Sequence, residues 1–432
     1  MPAITRFYIS AFKQQTEEIT MERKKLLQQW NRLLVPGVFL LLLAGGGLWQ
    51  HLMPDRAYSP SERRVLAQKP ELSTENVRDA SYMADFETYL TDQFPMRDQW
   101  ITVKTYAGLL LGQRETGGVY ITKDHSLIEL HRESDLEKER ILQNTETLLS
   151  FTEDMTERFG AEHVRLMLVP TAECIWDDKL PDDIALFDQS AYLDLLQQTL
   201  EQTDEDYAQI LVPVEAELAL HAQEEIYYKT DHHWTALGAY YGYAAYAGET
   251  AYPLSEFEFV TVTDQFTGTT AAKCGLYDVT DRIELIYPQN GESYIVDHNL
   301  GEHYSDSLYE EALAKGDDPY AVYLGGNDAI VTILKNTEGM QAEHVTQTES
   351  SVQTESVMQE NASGRSLLII RDSYANCFVP YLTGAYEKIT MVDLRYYNGS
   401  IQDLTQEGYT DVLILYNLPN FLSDRQIYKL IR

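Results

Sequence analysis

Three apolar runs constrain this chain more than anything else in it. They are VRLMLVP (164–170), SLLIIRDS (366–373) and TDVLILYNLPN (410–420). A strand with one wet face alternates polar and apolar residues. A strand that is apolar throughout is buried on both faces, as in a parallel sheet covered by helices. YEKITMVDLRYY (386–397) supplies a fourth such run, and helical connectors lie between the last three. Strands alternating with helices predict the α/β class, a parallel sheet with helices on both faces.

Periodicity places the other elements around these strands. Tyr82 to Leu111 has helical spacing interrupted by Pro95. Helices are also expected over 136–158, 192–202 and 235–247, the last from a run rich in Ala, Gly and Tyr. IYYKT (226–230) reads as a short strand. Residues 252–335 hold five short β-like runs, FEFVTVT, RIELIYP, SYIVDHN, YAVYLGG and AIVTIL, which read as an inserted, peripheral β-rich unit. Residues 336–364 contain no aromatic residue, no Lys and no Arg, and repeat QTES, so a disordered loop is expected there.

Charge divides the chain at one place. The 432 residues carry a formal charge of −35. Residues 1–53 hold six basic and three acidic side chains, a net of +3, which leaves −38 for the rest. Between the two lies the uncharged run Leu33 to Trp49, long enough at 17 residues to begin a bilayer span. The basic cluster before it predicts a cytoplasmic leader (1–32), a single-pass membrane signal anchor (33–53) and an extracellular remainder, reached through a tether (54–80). A cleaved signal peptide is the alternative, but no small-x-small cleavage site follows Gly47. So great an acidic excess argues against general nucleic-acid binding, because phosphates are repelled. Three Cys (Cys174, Cys274, Cys377) make neither a disulfide scaffold nor a zinc site, and Cys377, one turn after Ser373, reads as core.

Two motifs can carry chemistry. In YKTDHHWT (228–235), Asp231 stands two residues before His233 at a strand-to-helix junction. A carboxylate so placed holds an imidazole in one tautomer and stabilises the imidazolium. Asp and two His are also legitimate metal ligands, but no partner cluster completes a sphere, so no metal is expected. Asp and Thr are also good helix caps, which is the structural alternative. In IIRDSYAN (369–376), Ser373 ends a buried strand and opens a helix, where α/β sheets expose a nucleophile and a helix N-terminus offers N–H donors. A plain N-cap is the competing reading. Together they hold a triad's inventory.

At this point the sequence resembles a family. The TDHHW string is similar to that of the DHHW family of exported bacterial proteins. The likeness extends in one order through ERRVLAQKPEL (62–72), FETYLTDQFPMRDQW (86–100), GGVYITKDHSLIE (117–129), DKLPDDIALFDQ (178–189), YLGGND (323–328), RDSYANCFVPYL (371–382) and DLRYYNGS (393–400). That family in turn resembles the SGNH-hydrolase-like polysaccharide O-acetyltransferases of the AlgJ/AlgX type. The resemblance implies a flavodoxin-like three-layer fold, circularly permuted because the Asp-x-His block here precedes the Ser block. Its first part would be 81–251 and its second 365–432. It implies Ser373 as nucleophile, His233 as base and Asp231 as orienting acid. It places a second oxyanion block at Asp393–Tyr396, with Arg395 and Tyr396 toward substrate, and an oxyanion donor at Asn417. Gly325–Asp328 mimics the GxND string of such folds, so Asn327 is the second candidate donor, although a tight turn is its expected role.

The function these expectations describe is acyl transfer. Ser373 takes an acetyl group as an acyl-enzyme and a sugar hydroxyl removes it, without cofactor or metal. The resemblance implies a membrane-bound O-acyltransferase as acetyl donor and a cell-wall or exported polysaccharide as acceptor. A domain of charge −38 would not attract a polyanion, so a neutral or cationic glycan is the acceptor expected. Two alternatives compete: an esterase or deacetylase using water with the same triad, and a catalytically silent, Tyr-rich carbohydrate-binding scaffold.

Overall fold

The computed structural model describes residues 34, 36–59, 64–78, 81–289, 292–336, 364–406 and 408–432. The expected basic leader, residues 60–63 and 79–80 of the expected tether, and nearly all of the expected disordered loop lie outside them. The chain divides into two compact units, Met1–Ser59 with Arg64–Trp100, and Pro60–Arg63 with Ile101–Arg432.

In the first unit residues 36–52 are helical and Leu40 to Leu43 are exposed. Among the described residues no helix is long and apolar enough to cross a membrane. Asp92 and Gln93 pin the polypeptide of this unit. The Asp92 carboxylate accepts the Ala67 N–H at 2.8 Å, and the Gln93 amide accepts from Arg56 N–H and donates to the Arg56 and Ala67 carbonyls. A buried amide satisfying three backbone groups at once is a specific reason for the TDQ string.

The second unit is built on one seven-stranded sheet. Its strands are β1 (Val164–Val169), β2 (Tyr294–His298), β3 (His303–Ser305), β4 (Ile330–Lys335), β5 (Ser366–Arg371), β6 (Lys388–Val392) and β7 (Asp411–Asn417). Their order is β3-β2-β4-β6-β5-β7-β1. The four strands read as continuous apolar runs, β6, β5, β7 and β1, pair in parallel. β4, β2 and β3 extend them by antiparallel pairing, so the sheet is mixed rather than parallel throughout. Every residue of β5 and β7 is buried. Their side chains divide between two cores. Leu367, Ile369, Leu413 and Leu415 face one, with Trp234 and Tyr374; Leu368, Ile370, Val412 and Ile414 face the other, with Leu148, Phe151, Leu196 and Phe421. α1 (Lys138–Phe159) and α2 (Gln189–Thr203) cover that second face, and α3 (Ala236–Ala247) covers the first. The chain leaves β5 to one side for β6 and then returns to the other side for β7. The C-terminal end of β5 is therefore a switch point, where open α/β sheets form crevices.

Three expectations change. The segment 252–335 is not peripheral: β2, β3 and β4 belong to the main sheet, and only Phe257–Phe266 and Asp281–Pro288 pair apart as a ribbon. YAVYLGG is no strand, because Pro319 opens a 3-10 turn (Pro319–Val322), and Leu324, Gly325 and Gly326 follow with positive φ. IYYKT forms only a single bridge, Tyr227 to Trp234, in a tight hairpin. Pro95 is a boundary as expected: the helical stretch over 82–111 is two helices, Ser81–Asp92 and Arg97–Leu110, on either side of it.

Candidate active site

The Asp-His motif sits in the tip of the 227–234 hairpin. Backbone bonds close the hairpin: Tyr228 N–H donates to the His233 carbonyl and Thr235 N–H to the Ile226 carbonyl. Thr235 then caps α3, its hydroxyl accepting the Gly238 N–H at 3.1 Å. Asp281, from the paired ribbon, holds the rising arm. Its carboxylate accepts the N–H groups of Lys229 and Thr230 and the Thr230 hydroxyl. Burial raises the Asp281 carboxyl above the ordinary range while these donors pull it back.

The buried Asp231 carboxylate is satisfied on both oxygens. Oδ1 lies 2.5 Å from His233 Nδ1 and accepts the His233 N–H at 3.1 Å. Oδ2 accepts the N–H and hydroxyl of Thr269 at 2.7 and 3.0 Å. An imidazole so held presents Nε2 outward, and Nε2 lies 2.7 Å from Ser373 Oγ. Asp231, His233 and Ser373 thus form one hydrogen-bonded line across 140 residues of sequence. His233 is almost wholly buried and Ser373 only partly.

Ser373 follows β5 and opens the short helix α4 (Tyr374–Phe378). Its hydroxyl makes no cap bond, so it does not act as the plain N-cap. The capping duty falls to Asp372. Its Oδ1 accepts the Tyr374 N–H at 2.9 Å, and its Oδ2 accepts the Asn417 N–H and the Asn420 side-chain amide. Burial raises the Asp372 carboxyl above its ordinary value. Trp234 ties the two motifs together. Its indole N–H donates to the Tyr374 carbonyl at 3.0 Å, and its ring packs on Tyr374 and Phe378. The Tyr374 hydroxyl answers with a bond to the His232 carbonyl at 2.5 Å.

His232 points elsewhere, with Nδ1 at 2.9 Å from Thr269 Oγ1. Burial, reinforced by His233, pushes it down to about 4, so it is neutral at neutral pH. Asp231, His232 and His233 bring one ligand atom each within 4.8 Å of one another. Three of the four ring nitrogens already have protein partners, however: His233 Nδ1 on Asp231, His233 Nε2 on Ser373 and His232 Nδ1 on Thr269. The donor set fits a proton relay better than a metal sphere.

The remaining expected residues lie around the same strand ends. Asn417 caps the next short helix, its Oδ1 accepting the Asn420 N–H at 2.9 Å. Asn327 is closer to the serine helix than its place in the sequence suggests. Its Oδ1 accepts from Arg371 at 2.6 Å and from the Asn376 amide at 3.1 Å, and Asn376 lies in α4. Arg395 grips Asp393 with two bonds of 2.9 and 2.6 Å, and Tyr396 beside it is exposed. Neither makes a hydrogen bond to the Ser373 or His233 side chain. All three cysteines are free thiols, and burial pushes Cys377 up to about 12. Thr269, Asp281, Asp372 and Tyr320 were not singled out from sequence. Only Asp372, next to the serine at a strand end, carried a local signal.

A family model described as DHHW protein matches residues 158–331, a stretch that contains Asp231 and His233. The resemblance to the DHHW family holds. A DHHW family protein from Eubacterium siraeum superimposes at a TM-score of 0.55 with 23% identity, over 73% of this chain and 95% of that one. Bacillus cereus PatB1, solved with a sulfonyl adduct, superimposes at 0.52 with 17% identity, over 73% of this chain and 100% of that one. At such identities the two matches show a shared fold. The O-acetyltransferase domain of Pseudomonas putida AlgJ overlaps at 0.39 with 13% identity over 72% of this chain and 98% of that domain, too distant to argue from. No curated protein matches the sequence.

Proposed function

We propose that this DHHW-like chain is a membrane-anchored extracytoplasmic O-acetyltransferase. It moves an acetyl group through a Ser373 acyl-enzyme onto a cell-wall or exported polysaccharide. The observation that carries the reading is the line Asp231–His233–Ser373, with bonds of 2.5 and 2.7 Å and a serine that solvent can reach. His233 Nε2 takes the Ser373 proton as Oγ attacks the acetyl carbonyl, and Asp231 stabilises the imidazolium. His233 then gives that proton to the leaving group. A sugar hydroxyl, deprotonated by His233, attacks the acyl-enzyme and releases Ser373. The N–H of Ser373 and the amide of Asn327 or Asn417 are the donors for the tetrahedral oxyanion. The carbonyl oxygens of both are held, that of Asn327 by Arg371 and Asn376 and that of Asn417 by the Asn420 N–H, which turns each amide's N–H group toward other acceptors.

The finer architecture belongs to the same proposal. The order of the blocks and the strand order support an SGNH-hydrolase-like fold in permuted form. The apolar segment from residue 33 onward, preceded by a basic cluster, supports a signal anchor that holds the enzyme beside a membrane-bound O-acyltransferase supplying acetyl groups. A structural relative that carries a sulfonyl adduct supports a fold on which a covalent adduct can form. Ser373→Ala tests the reading. An activated-serine probe labels the wild type and not the variant, and cells carrying the variant lose polysaccharide acetylation. A variant that keeps full acetylation removes the acyl-enzyme.

A further inference from the structure

One aromatic side chain touches both halves of this relay and belongs to neither motif. Tyr320 comes from the 3-10 turn Pro319–Val322, in the segment that sequence alone sets at the periphery. Its ring lies flat on the His233 imidazole, with centroids 3.9 Å apart and planes 12° from parallel. Its hydroxyl reaches the Ser373 carbonyl and Cys377 Sγ, each at 3.3 Å. The side chain is itself immobilised, buried to 4% exposure and packed edge-on against Tyr228 and at an angle against Tyr323.

We infer that Tyr320 is a positioning residue for the His233–Ser373 couple. Its ring fixes the tilt of the imidazole and stabilises the imidazolium, and its hydroxyl holds the backbone of the nucleophile. This rests on the acyl-enzyme reading above. Two hydrogen bonds fix the imidazole in its plane, one on each nitrogen, but neither stops it rocking out of that plane. A parallel aromatic ring does. An aromatic face also favours a cation above it, so the stack strengthens as His233 gains its proton. The other groups facing His233 are Asp231 and His232 from its own loop, and Ser373 and Tyr374 from α4. Glu129 and Lys273 act on the neighbouring His232. None of these supplies a second parallel face, since the His232 and Tyr374 rings lie at 39° and 40°.

The test compares Tyr320→Phe with Tyr320→Leu in the full chain, with p-nitrophenyl acetate as acetyl donor and the acylation burst as readout. The Phe variant keeps the stack and stays within about threefold of wild type. The Leu variant loses at least about tenfold in acylation rate, with half-saturation by the ester nearly unchanged. Equal rates for Phe and Leu, on an enzyme that does acetylate at Ser373, overturn the inference alone. A wild type that takes no acetyl at Ser373 overturns the parent reading, and the inference with it. A second measurement does not depend on whether the Leu variant folds. In proton NMR of the wild type, the His233 ring resonances, assigned with His233→Gln, are shifted upfield by the Tyr320 ring current. Resonances at ordinary positions overturn the stack.

Discussion

At the scale of single residues, Asp231 accounts for most of the site. Four donors converge on one buried carboxylate, which fixes the tautomer and rotamer of His233 before any substrate arrives. His232, its neighbour, makes a separate prediction. The unfolded chain takes up a proton at this residue near 6.5, whereas the folded chain refuses it until about 4. The unfolded state therefore binds more protons in that window, and stability falls as pH drops through it. His232→Gln removes this contribution, so the loss of stability between pH 6.5 and 4 is shallower in the variant. Denaturant melts of both proteins at several pH values check it, and identical slopes contradict it. The three residues in the relay were legible in sequence because each sits in a short local pattern: carboxylate-x-imidazole before a helix, serine after an apolar strand. Tyr320 was not legible, being one Tyr among 30, in a run that reads as a strand, with its partners in the relay 53 or more residues away. Asp281 and Thr269 were hidden for the same reason. A side chain that holds a backbone across 51 or 38 residues leaves no trace in local spacing.

At the scale of elements, small residues decide where the hairpin can go. A Cβ on Gly238 would stand 2.1 Å from the Ile226 carbonyl oxygen, so α3 approaches the hairpin only through glycine. A Cβ on Gly268 would stand 2.1 Å from Asp231 Cβ and 2.4 Å from its Oδ2. Gly268→Ala therefore pushes the Asp231 carboxylate out of line while leaving the chemical identity of every relay residue unchanged. A displacement near 1 Å at such a group costs on the order of a hundredfold in rate. We expect a loss of at least about tenfold in acylation, with a stability cost of about 1–3 kcal/mol from the steric conflict. Burst kinetics and a thermal melt of the variant measure the two. Unchanged acylation contradicts the packing argument. The apolar strands were readable because a strand buried on both faces has nothing polar to confuse its pattern. YAVYLGG was not, since its short apolar composition suits a strand as well as a turn. Pro319 and three successive residues with positive φ settle it as a turn.

At the scale of the molecule, one mixed sheet carries the site. The four parallel strands carry the Ser block at their C-terminal edge, and the antiparallel strands from 294–335 widen the same sheet. Sequence placed those strands apart because nothing local says which edge a strand will join. The expected joining of two distant blocks into one site, 140 residues apart, is what the fold accomplishes through Trp234 and the hairpin it closes. The chemistry proposed for this site is an acyl-enzyme on Ser373. The most direct measurement is mass spectrometry of the protein after exposure to an acetyl ester. The expected result is one added acetyl group on the peptide containing Ser373, absent from Ser373→Ala. No adduct on the wild type, or an adduct that persists in the variant, would contradict it.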